Sequence, residues 1–317
     1  MFGVFSATLS PMLVVFLYML IGFILNKKKL LPENAGTVLS KLENYVFVPS
    51  LVLNTFMSQC TTASFKEYYP LILYSLAALA IAILIAVPLG KLFSKNDYYK
   101  QNIYTYSLVF ANFGFLGNAV VPILFGANDP QILYKYMLFT LPLQVAVYSW
   151  GIAILIPKGQ KNKTPLSGLN NPTFYSIVFG IILGISGITK CIPEFVMQTL
   201  STLASCMAPV AMVLTGFIVG GYSMKSLLYD RKVYIAIFLR LFVIPSVVIA
   251  MLYFLGASRF ILTLVLFAYA TPIGMNTIVF PAAYGGETKT SASMVMISHV
   301  LCIITLPIMY AIFSILA

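Results

Sequence analysis

The fold of this chain is decided by Asn112-Phe-Gly-Phe-Leu-Gly-Asn-Ala-Val-Val-Pro122, a stretch that places two amides, two glycines and a proline inside an apolar span. Glycine and proline weaken a helix, and asparagine side chains bond to the freed backbone or to a ligand. Such backbone is tolerated at membrane depth only inside protein or beside a water-filled cavity. The stretch therefore predicts an interrupted membrane helix.

A second interruption lies late in the chain, in Thr271-Pro-Ile-Gly-Met-Asn-Thr-Ile-Val-Phe-Pro281. Two interrupted spans at matching positions in two halves of a chain are the best sequence indication of a transporter's binding site. We therefore expect the binding site to lie at these two interruptions.

The composition is that of a membrane protein. Hydrophobic residues make up 60% of the chain and charged residues only 9%, too few for an ordinary soluble surface. The net charge of +11 could indicate a nucleic-acid partner, but the lysines lie in short loops between apolar spans rather than on one basic face. No nucleic-acid partner is expected.

Apolar stretches of about 20 residues are long enough to cross the hydrocarbon of a bilayer. We place about ten of them, at 6–26, 39–58, 69–90, 102–125, 136–156, 173–189, 195–221, 233–255, 260–283 and 292–315. The first span is followed by lysines rather than preceded by them, so it is not the pattern of a cleaved signal peptide. The chain is predicted to be an all-helical polytopic membrane protein.

The basic residues predict the orientation of these spans. If the amino terminus lies outside, fourteen of the 19 Lys and Arg residues fall on the cytoplasmic side, four fall outside and Arg240 lies inside a span. This distribution obeys the positive-inside rule. Both termini are therefore predicted to face outward from the cytoplasmic membrane.

The longest polar connection, residues 157–172, separates five spans from five. Because five is odd, the second half enters the membrane from the opposite side, as in an inverted repeat. Two landmarks recur at offsets of 160 and 158 residues, since Pro49 corresponds to Pro209 and Asn118 to Asn276. We predict a first repeat over 1–157, a cytoplasmic linker over 158–172 and a second repeat over 173–317.

The pattern Asn112-x-x-x-x-Gly117, the pattern Ala270-x-Pro272-x-Gly274 and the pair Leu306-Pro307 resemble the auxin efflux carrier family, which includes plant auxin carriers and bacterial malate-permease-like proteins. The resemblance implies that spans 4 and 9 break and cross near the membrane centre. It also implies a scaffold of spans 1, 2, 6 and 7, against which spans 3–5 and 8–10 move as an elevator. Family members are similar in moving organic anions, chiefly carboxylates, and in forming homodimers.

The sequence departs from the plant pattern at the breaks themselves. Where plant carriers have a crossing proline, this chain has Ala119 and Thr277, and its prolines Pro122 and Pro281 lie further along. The breaks are therefore expected to rest on glycine and asparagine, and plant auxin itself is less favoured as the substrate.

Seven residues form the predicted substrate site: Asn112, Gly117, Asn118, Gln144, Gly274, Asn276 and Thr277. The amides can bond to a carboxylate, helped by the positive dipole ends of the half-helices. The alternative is that they satisfy backbone freed at the breaks, and that Gln144 makes a hydrogen bond between helices.

Two titratable residues within spans are further candidates. Arg240 is expected to extend to the cytoplasmic surface, because a lone buried guanidinium is costly, and the alternative is a counter-charge for an anionic substrate. His299 is expected to be a packing residue, and the alternative is a role in proton coupling. Glu43, close to Lys41, is interpreted as marking a cytoplasmic helix end.

Acidic residues are missing from the predicted span centres, which favours an anionic or neutral substrate over a cation. The sequence has no phosphate-binding GxxxxGK[ST] motif, no metal-ligand spacing and no nucleophile–base pattern within the spans, so neither a cofactor nor an enzyme is expected. The predicted function is a secondary transporter or facilitator of small organic anions, and the alternative is a transport-fold sensor that binds its ligand without net transport. The expected partners are the anion, the lipid bilayer and a second copy of the chain.

Overall fold

The computed structural model describes residues 2–157, 170–228, 230–283 and 285–316. Every regular secondary-structure element within these ranges is a helix. The helices are α1 Phe2–Lys27, α2 Ala35–Leu42, α3 Val48–Gln59, α4 Thr62–Tyr68, α5 Pro70–Phe93, α6 Tyr98–Val109, α7 Asn118–Phe125, α8 Ile132–Ala146, α9 Ile152–Leu155, α10 Pro172–Ser186, α11 Glu194–Gly220, α12 Met224–Leu227, α13 Arg231–Phe238, α14 Ile244–Phe254, α15 Arg259–Tyr269, α16 Asn276–Ala283 and α17 Lys289–Leu316. Most of the predicted linker, residues 158–169, lies outside the described residues.

Wider π-helical turns continue several of these helices. Glu43–Phe47 joins α2 to α3, Val147–Gly151 joins α8 to α9, and Leu239–Val243 joins α13 to α14. A fourth π-turn, Phe113–Gly117, leads directly into α7. Turns of this kind occur frequently at functional sites.

Among the described residues, six helical segments are long and apolar enough to cross a membrane: Gly3–Lys27, Thr62–Phe93, Ile132–Leu155, Glu194–Gly220, Arg231–Phe254 and Lys289–Ile315. Three shorter apolar helices are Phe113–Phe125, Pro172–Ser186 and Arg259–Tyr269. Two of these three belong to the spans whose sequence predicts an interruption. The chain thus has the helices of a polytopic membrane protein, as the composition predicts.

One group of helices packs with very close backbones. The helix α1 runs along α11, and α10 runs along α3, which also packs on α11. A Cβ atom added to Gly22 would lie 1.9 Å from the Val213 carbonyl oxygen, and one added to Gly216 would lie 1.8 Å from that of Met19. Glycine at these two positions therefore lets α1 and α11 touch backbone to backbone, as small residues do between membrane helices.

The two interrupted spans break where they meet. The first leaves the helix after α6, at the extended residue Phe110, and the second is non-helical from 270 to 275. Ala111 and Ile273 form an isolated antiparallel bridge, and the Asn112 N–H donates to the Pro272 carbonyl oxygen at 2.7 Å. The two breaks therefore satisfy each other's backbone.

Neither break lies at the proline that follows it in the sequence. Pro122 lies inside α7 and Pro281 lies inside α16, so each is part of a helix that follows its break. Ala119 lies in α7 and Thr277 in α16, also beyond the non-helical segments. The breaks thus precede the places where plant carriers have their crossing prolines.

Candidate functional site

The crossing of the two breaks borders a cavity of about 780 Å³, a volume that includes its open mouth. Five of the predicted site residues line it: Asn112, Asn118, Gln144, Gly274 and Asn276. Its other walls come from α3, α8 and α10 and are mainly apolar. The structure thus brings together residues from both halves of the chain around one space.

Asn112 is held by His299 across the crossing. The Nδ2 atom of Asn112 lies 3.0 Å from His299 Nε2, and His299 Nδ1 lies 2.8 Å from the Val295 carbonyl oxygen. A carbonyl oxygen only accepts, so Nδ1 carries the proton and Nε2 accepts from the Asn112 amide. Both side chains are 3% exposed. His299 is therefore a neutral residue that fixes the orientation of Asn112.

Asn118 presents an unused acceptor at the cavity wall. Its Oδ1 atom is buried and accepts no hydrogen bond from any residue that the structure describes. Buried polar atoms in folded proteins nearly always have a protein or water partner. A ligand or water donor in the cavity would satisfy this oxygen.

Asn276 lies between this cavity and a larger one. It is the first residue of α16, and it borders a second cavity of about 1810 Å³ that extends past α2, α10 and the carboxyl end of α11. Asn44, Tyr148 and Thr173 also line both cavities. The two cavities therefore share a wall, of which Asn276 is a part.

The amino end of a half-helix also faces the cavity. The N–H groups of Leu116 and Gly117 donate to the Asn112 carbonyl oxygen at 3.0 and 3.2 Å, so the helical segment that includes α7 begins there. A Cβ atom added to Gly114 would meet nothing closer than Gln144 Oε1, at 3.8 Å. Open space therefore lies over the first turn, where the helix dipole favours an anion.

Two predicted site residues do not line either cavity. A Cβ atom on Gly117 would lie 2.0 Å from the Tyr136 hydroxyl, which is within bonding distance of the Phe113 and Phe267 carbonyl oxygens, at 3.3 and 3.2 Å. Thr277 donates its hydroxyl to the carbonyl oxygen of Gly274 at 2.7 Å. Both residues thus pack within the breaks and border neither cavity.

Arg240 does not extend to the surface, so that expectation is wrong. Its side chain is completely buried, Nη1 donates to the Leu108 carbonyl oxygen at 3.3 Å, and Cζ lies 5.7 Å from the centre of the Tyr269 ring. The helix α6 ends at Val109 and α15 ends at Tyr269. The guanidinium therefore lies at the negative dipole ends of both first half-helices, which stabilise a cation there. It lines neither cavity.

The other side of the crossing is covered by α1. Met12 and Val15 of α1 face Leu116, Pro272 and neighbouring residues around a gap of only about 200 Å³. The cavity at the crossing thus shares wall residues with the larger cavity, whereas α1 packs against the other side of the crossing.

Three polar residues near the cavity were missed or misread from the sequence. Asn44 and Tyr148 line both cavities, and Asn44 could have been suspected because it is an amide inside a predicted span. Glu43 was expected at a helix end near the surface, but it is 0% exposed. Its burial comes from packing against α10 and α11, which are distant in sequence.

The sequence as a whole matches a known protein family. A family model described as "Membrane transport protein" matches residues 7–310, nearly the full chain. A search of curated proteins finds no match.

Proposed function

The chain belongs to the membrane transport protein family, which is the auxin efflux carrier family, and from this premise we propose that it is a secondary transporter or facilitator of small organic anions. The observation that carries the proposal is the cavity at the crossing, which is lined by five side-chain amides, from Asn44, Asn112, Asn118, Gln144 and Asn276. No Asp or Glu is among the described residues that line this cavity. Such a lining suits an anion better than a cation.

The chemistry of the cavity favours an organic carboxylate. Amide donors and a helix amino end bind the charged group, and hydrogen bonds to a charged group contribute about 1.5–3 kcal/mol each. The guanidinium of Arg240 adds a positive field from behind the breaks. Apolar walls that include Val48, Val52 and Phe56 suit a hydrocarbon portion.

We further propose two inverted repeats of five spans, with both termini outside the cytoplasmic membrane. The antiparallel contact of Ala111 with Ile273 supports this, because a two-fold axis in the membrane plane would relate the two breaks in this way. The excess of basic residues on one side supports the orientation.

The position of the larger cavity supports a proposal for the side on which the site opens. It is lined by Asn26 near the carboxyl end of α1 and by Lys41 on α2, which lie at the end that the basic residues assign to the cytoplasm. Because α1 covers the other side of the crossing, we interpret this arrangement as a cytoplasm-facing state.

The proposed mechanism is an elevator, in which α5–α9 and α13–α17 slide against α1, α2–α3, α10 and α11. The support is a difference between interfaces: α1 and α11 touch backbone to backbone, whereas α3 contacts α8 through the rings of Phe56 and Tyr134, whose centres are 5.6 Å apart. Side-chain contacts can be remade during sliding, and both amides of the crossing would travel together.

The homodimer is also a proposal, and the mass of the purified particle would test it.

The function is tested with purified protein and a panel of mono- and dicarboxylates and amphipathic aromatic acids. We expect at least one acid to raise the melting temperature, because a ligand stabilises by RT ln(1 + [L]/Kd). The same acid should accumulate in proteoliposomes that contain the protein. Binding without any uptake would instead favour the sensor, and the absence of both would contradict the proposed substrate class.

The mechanism is tested by joining the two groups of helices. Phe56→Cys together with Tyr134→Cys, bridged by a short bifunctional thiol reagent, should stop uptake, and a cleavable reagent should restore it on reduction. The control is Tyr134→Cys alone treated in the same way. Full uptake through the bridged protein would mean that these helices do not move relative to each other.

A further inference from the structure

Glu43 is a buried acid that the site described above does not use. It is 0% exposed and begins the π-turn Glu43–Phe47 between α2 and α3. Neither of its carboxyl oxygens accepts or donates a hydrogen bond to any described residue. Each unsatisfied buried group in a native protein calls for an explanation, and an ionisable one inside a membrane span indicates function.

The surroundings of Glu43 offer no cation. The turn packs against α2, α3, α10 and α11. The titratable side chains on these four helices are Lys41, Tyr175, Glu194 and Cys206, and Tyr45 lies in the turn itself. Lys41, Tyr175, Glu194 and Tyr45 are exposed, and no ion pair of Glu43 occurs within the described ranges.

The protonation state of the buried Glu43 side chain follows from this environment. A carboxylate without donors or a cation is very costly in a low-dielectric interior, and such a group takes up a proton instead. Glu43 is accordingly a neutral carboxylic acid here.

A route for that proton lies one residue away. Ser40, Lys41, Asn44 and Tyr45, on either side of Glu43 in sequence, line the larger cavity. Asn44 also lines the cavity at the crossing. Glu43 therefore lies between residues that border the larger cavity, and next to one that borders both.

We propose that Glu43 is a proton-binding site and that its protonation couples anion movement to a proton. The coupling rests on the proposed transport function, whereas the proton site does not. When water from the larger cavity reaches the π-turn Glu43–Phe47, the O–H bond of Glu43 breaks. Its electron pair stays on the carboxylate, and the proton passes to the water in that cavity. In the opposite-facing state the carboxylate takes up a proton from water on the other side of the membrane before it is buried again, so one proton crosses with each cycle and offsets the charge of one monoanion.

Glu43 suits this role better than His299, the residue that the sequence offered for coupling. Both ring nitrogens of His299 are occupied, one by Asn112 and one by the Val295 carbonyl oxygen. Protonation of His299 would place its Nε2–H donor against the Nδ2 donor of Asn112 and break that contact.

The proton site is tested without any substrate, by infrared titration of the full chain in lipid nanodiscs. Near neutral pH we expect a protonated-carboxyl band that Glu43→Gln lacks and that Glu33→Gln keeps. Glu33 is the matched control because it is exposed and lines the same larger cavity. An unchanged band in Glu43→Gln would overturn the proposal.

The coupling is tested in proteoliposomes with malate and indole-3-acetate as probes and a pH-sensitive dye inside. Uptake of either acid by the unchanged protein should move protons and respond several-fold to an imposed pH gradient, and Glu43→Gln should lose both responses while its melting temperature is kept. If Glu43→Gln retains the full pH response, coupling through Glu43 is wrong although transport stands. If neither protein takes up any carboxylate, the proposed function fails, and the infrared result alone decides the proton site.

Discussion

The two broken spans differ in how they are held, although they meet in one contact. The first break is short, contains no proline, and passes at once into the π-turn Phe113–Gly117, which directly follows Asn112, the residue bonded to His299. The second is longer, contains Pro272, and leads into a helix whose first residue, Asn276, borders both cavities. The first break is thus anchored in the protein interior, and the second faces the route into the site.

The repeated sequence pattern suggests that Asn112 and Asn276 have the same task, whereas this structural difference suggests that each has its own. Asn112 is 3% exposed and its orientation is fixed, so it provides a preorganised amide. Asn276 borders both cavities, so a ligand that entered from the larger cavity would meet it. The following variants test whether the two breaks differ in this way.

The largest effect is expected from the two asparagines. Asn112→Ala and Asn276→Ala should each weaken carboxylate binding by about 1.5–3 kcal/mol, roughly 10–150-fold in Kd, because each removes a hydrogen bond to a charged group. Asn112→Ala should in addition lower stability by about 1–3 kcal/mol, since it leaves His299 Nε2 buried without a donor. Titration calorimetry and thermal melting measure the two effects.

If Asn112→Ala and Asn276→Ala were equally stable, the first break would not be anchored more firmly than the second. Unchanged affinity in both would mean that the amides only satisfy the freed backbone, and that the ligand binds elsewhere.

The next effect concerns the glycines of the breaks. A Cβ atom on Gly274 would lie 3.0 Å from the backbone oxygen of Ala111, so Gly274→Ala should cost about 1–3 kcal/mol through overpacking of the crossing. Gly114→Ala is the matched control, because its Cβ atom would enter open space and should change the melting temperature little. A larger loss from Gly114→Ala than from Gly274→Ala would reverse this assignment.

A smaller effect is expected from a serine behind the second break. Ser298 Oγ accepts from the Ile273 N–H at 3.1 Å, so Ser298→Ala should lower stability by about 1–2 kcal/mol by leaving that N–H unpaired. Ser291 is the control on the same helix, because its buried hydroxyl has no partner among the described residues and Ser291→Ala should be neutral or slightly stabilising. Equal melting temperatures for the two variants would show that the Ile273 N–H does not depend on Ser298.

Much of this arrangement could be predicted because its signals are local. Glycine, asparagine and proline inside apolar spans predicted both interruptions, and the match over residues 7–310 confirms the family resemblance. The amides Asn112, Asn118 and Asn276 line one cavity because both breaks lie at one crossing.

The remaining features depend on packing between distant parts of the chain. Asn112 and His299 are 187 residues apart, and no local pattern connects them. Arg240 and Glu43 look like surface charges because they lie near span ends, yet helices distant from them in sequence help to bury them. Sequence patterns predict where a helix is weak, but not which side chains its neighbours cover.

The smallest effect is expected from the prolines, and it tests what makes the first break. Pro122 lies inside α7, beyond the break, so Pro122→Ala should change stability and affinity little. Pro272 lies within the second break, and Pro272→Ala should cost about 0.4–1 kcal/mol, because a proline in a compatible conformation reduces the entropy of the unfolded chain. Melting temperatures and carboxylate affinities of the two variants measure the difference. If Pro122→Ala instead abolished binding, the first span would owe its interruption to that proline rather than to the contact of Asn112 with Pro272, and the two breaks would be more alike than the structure indicates.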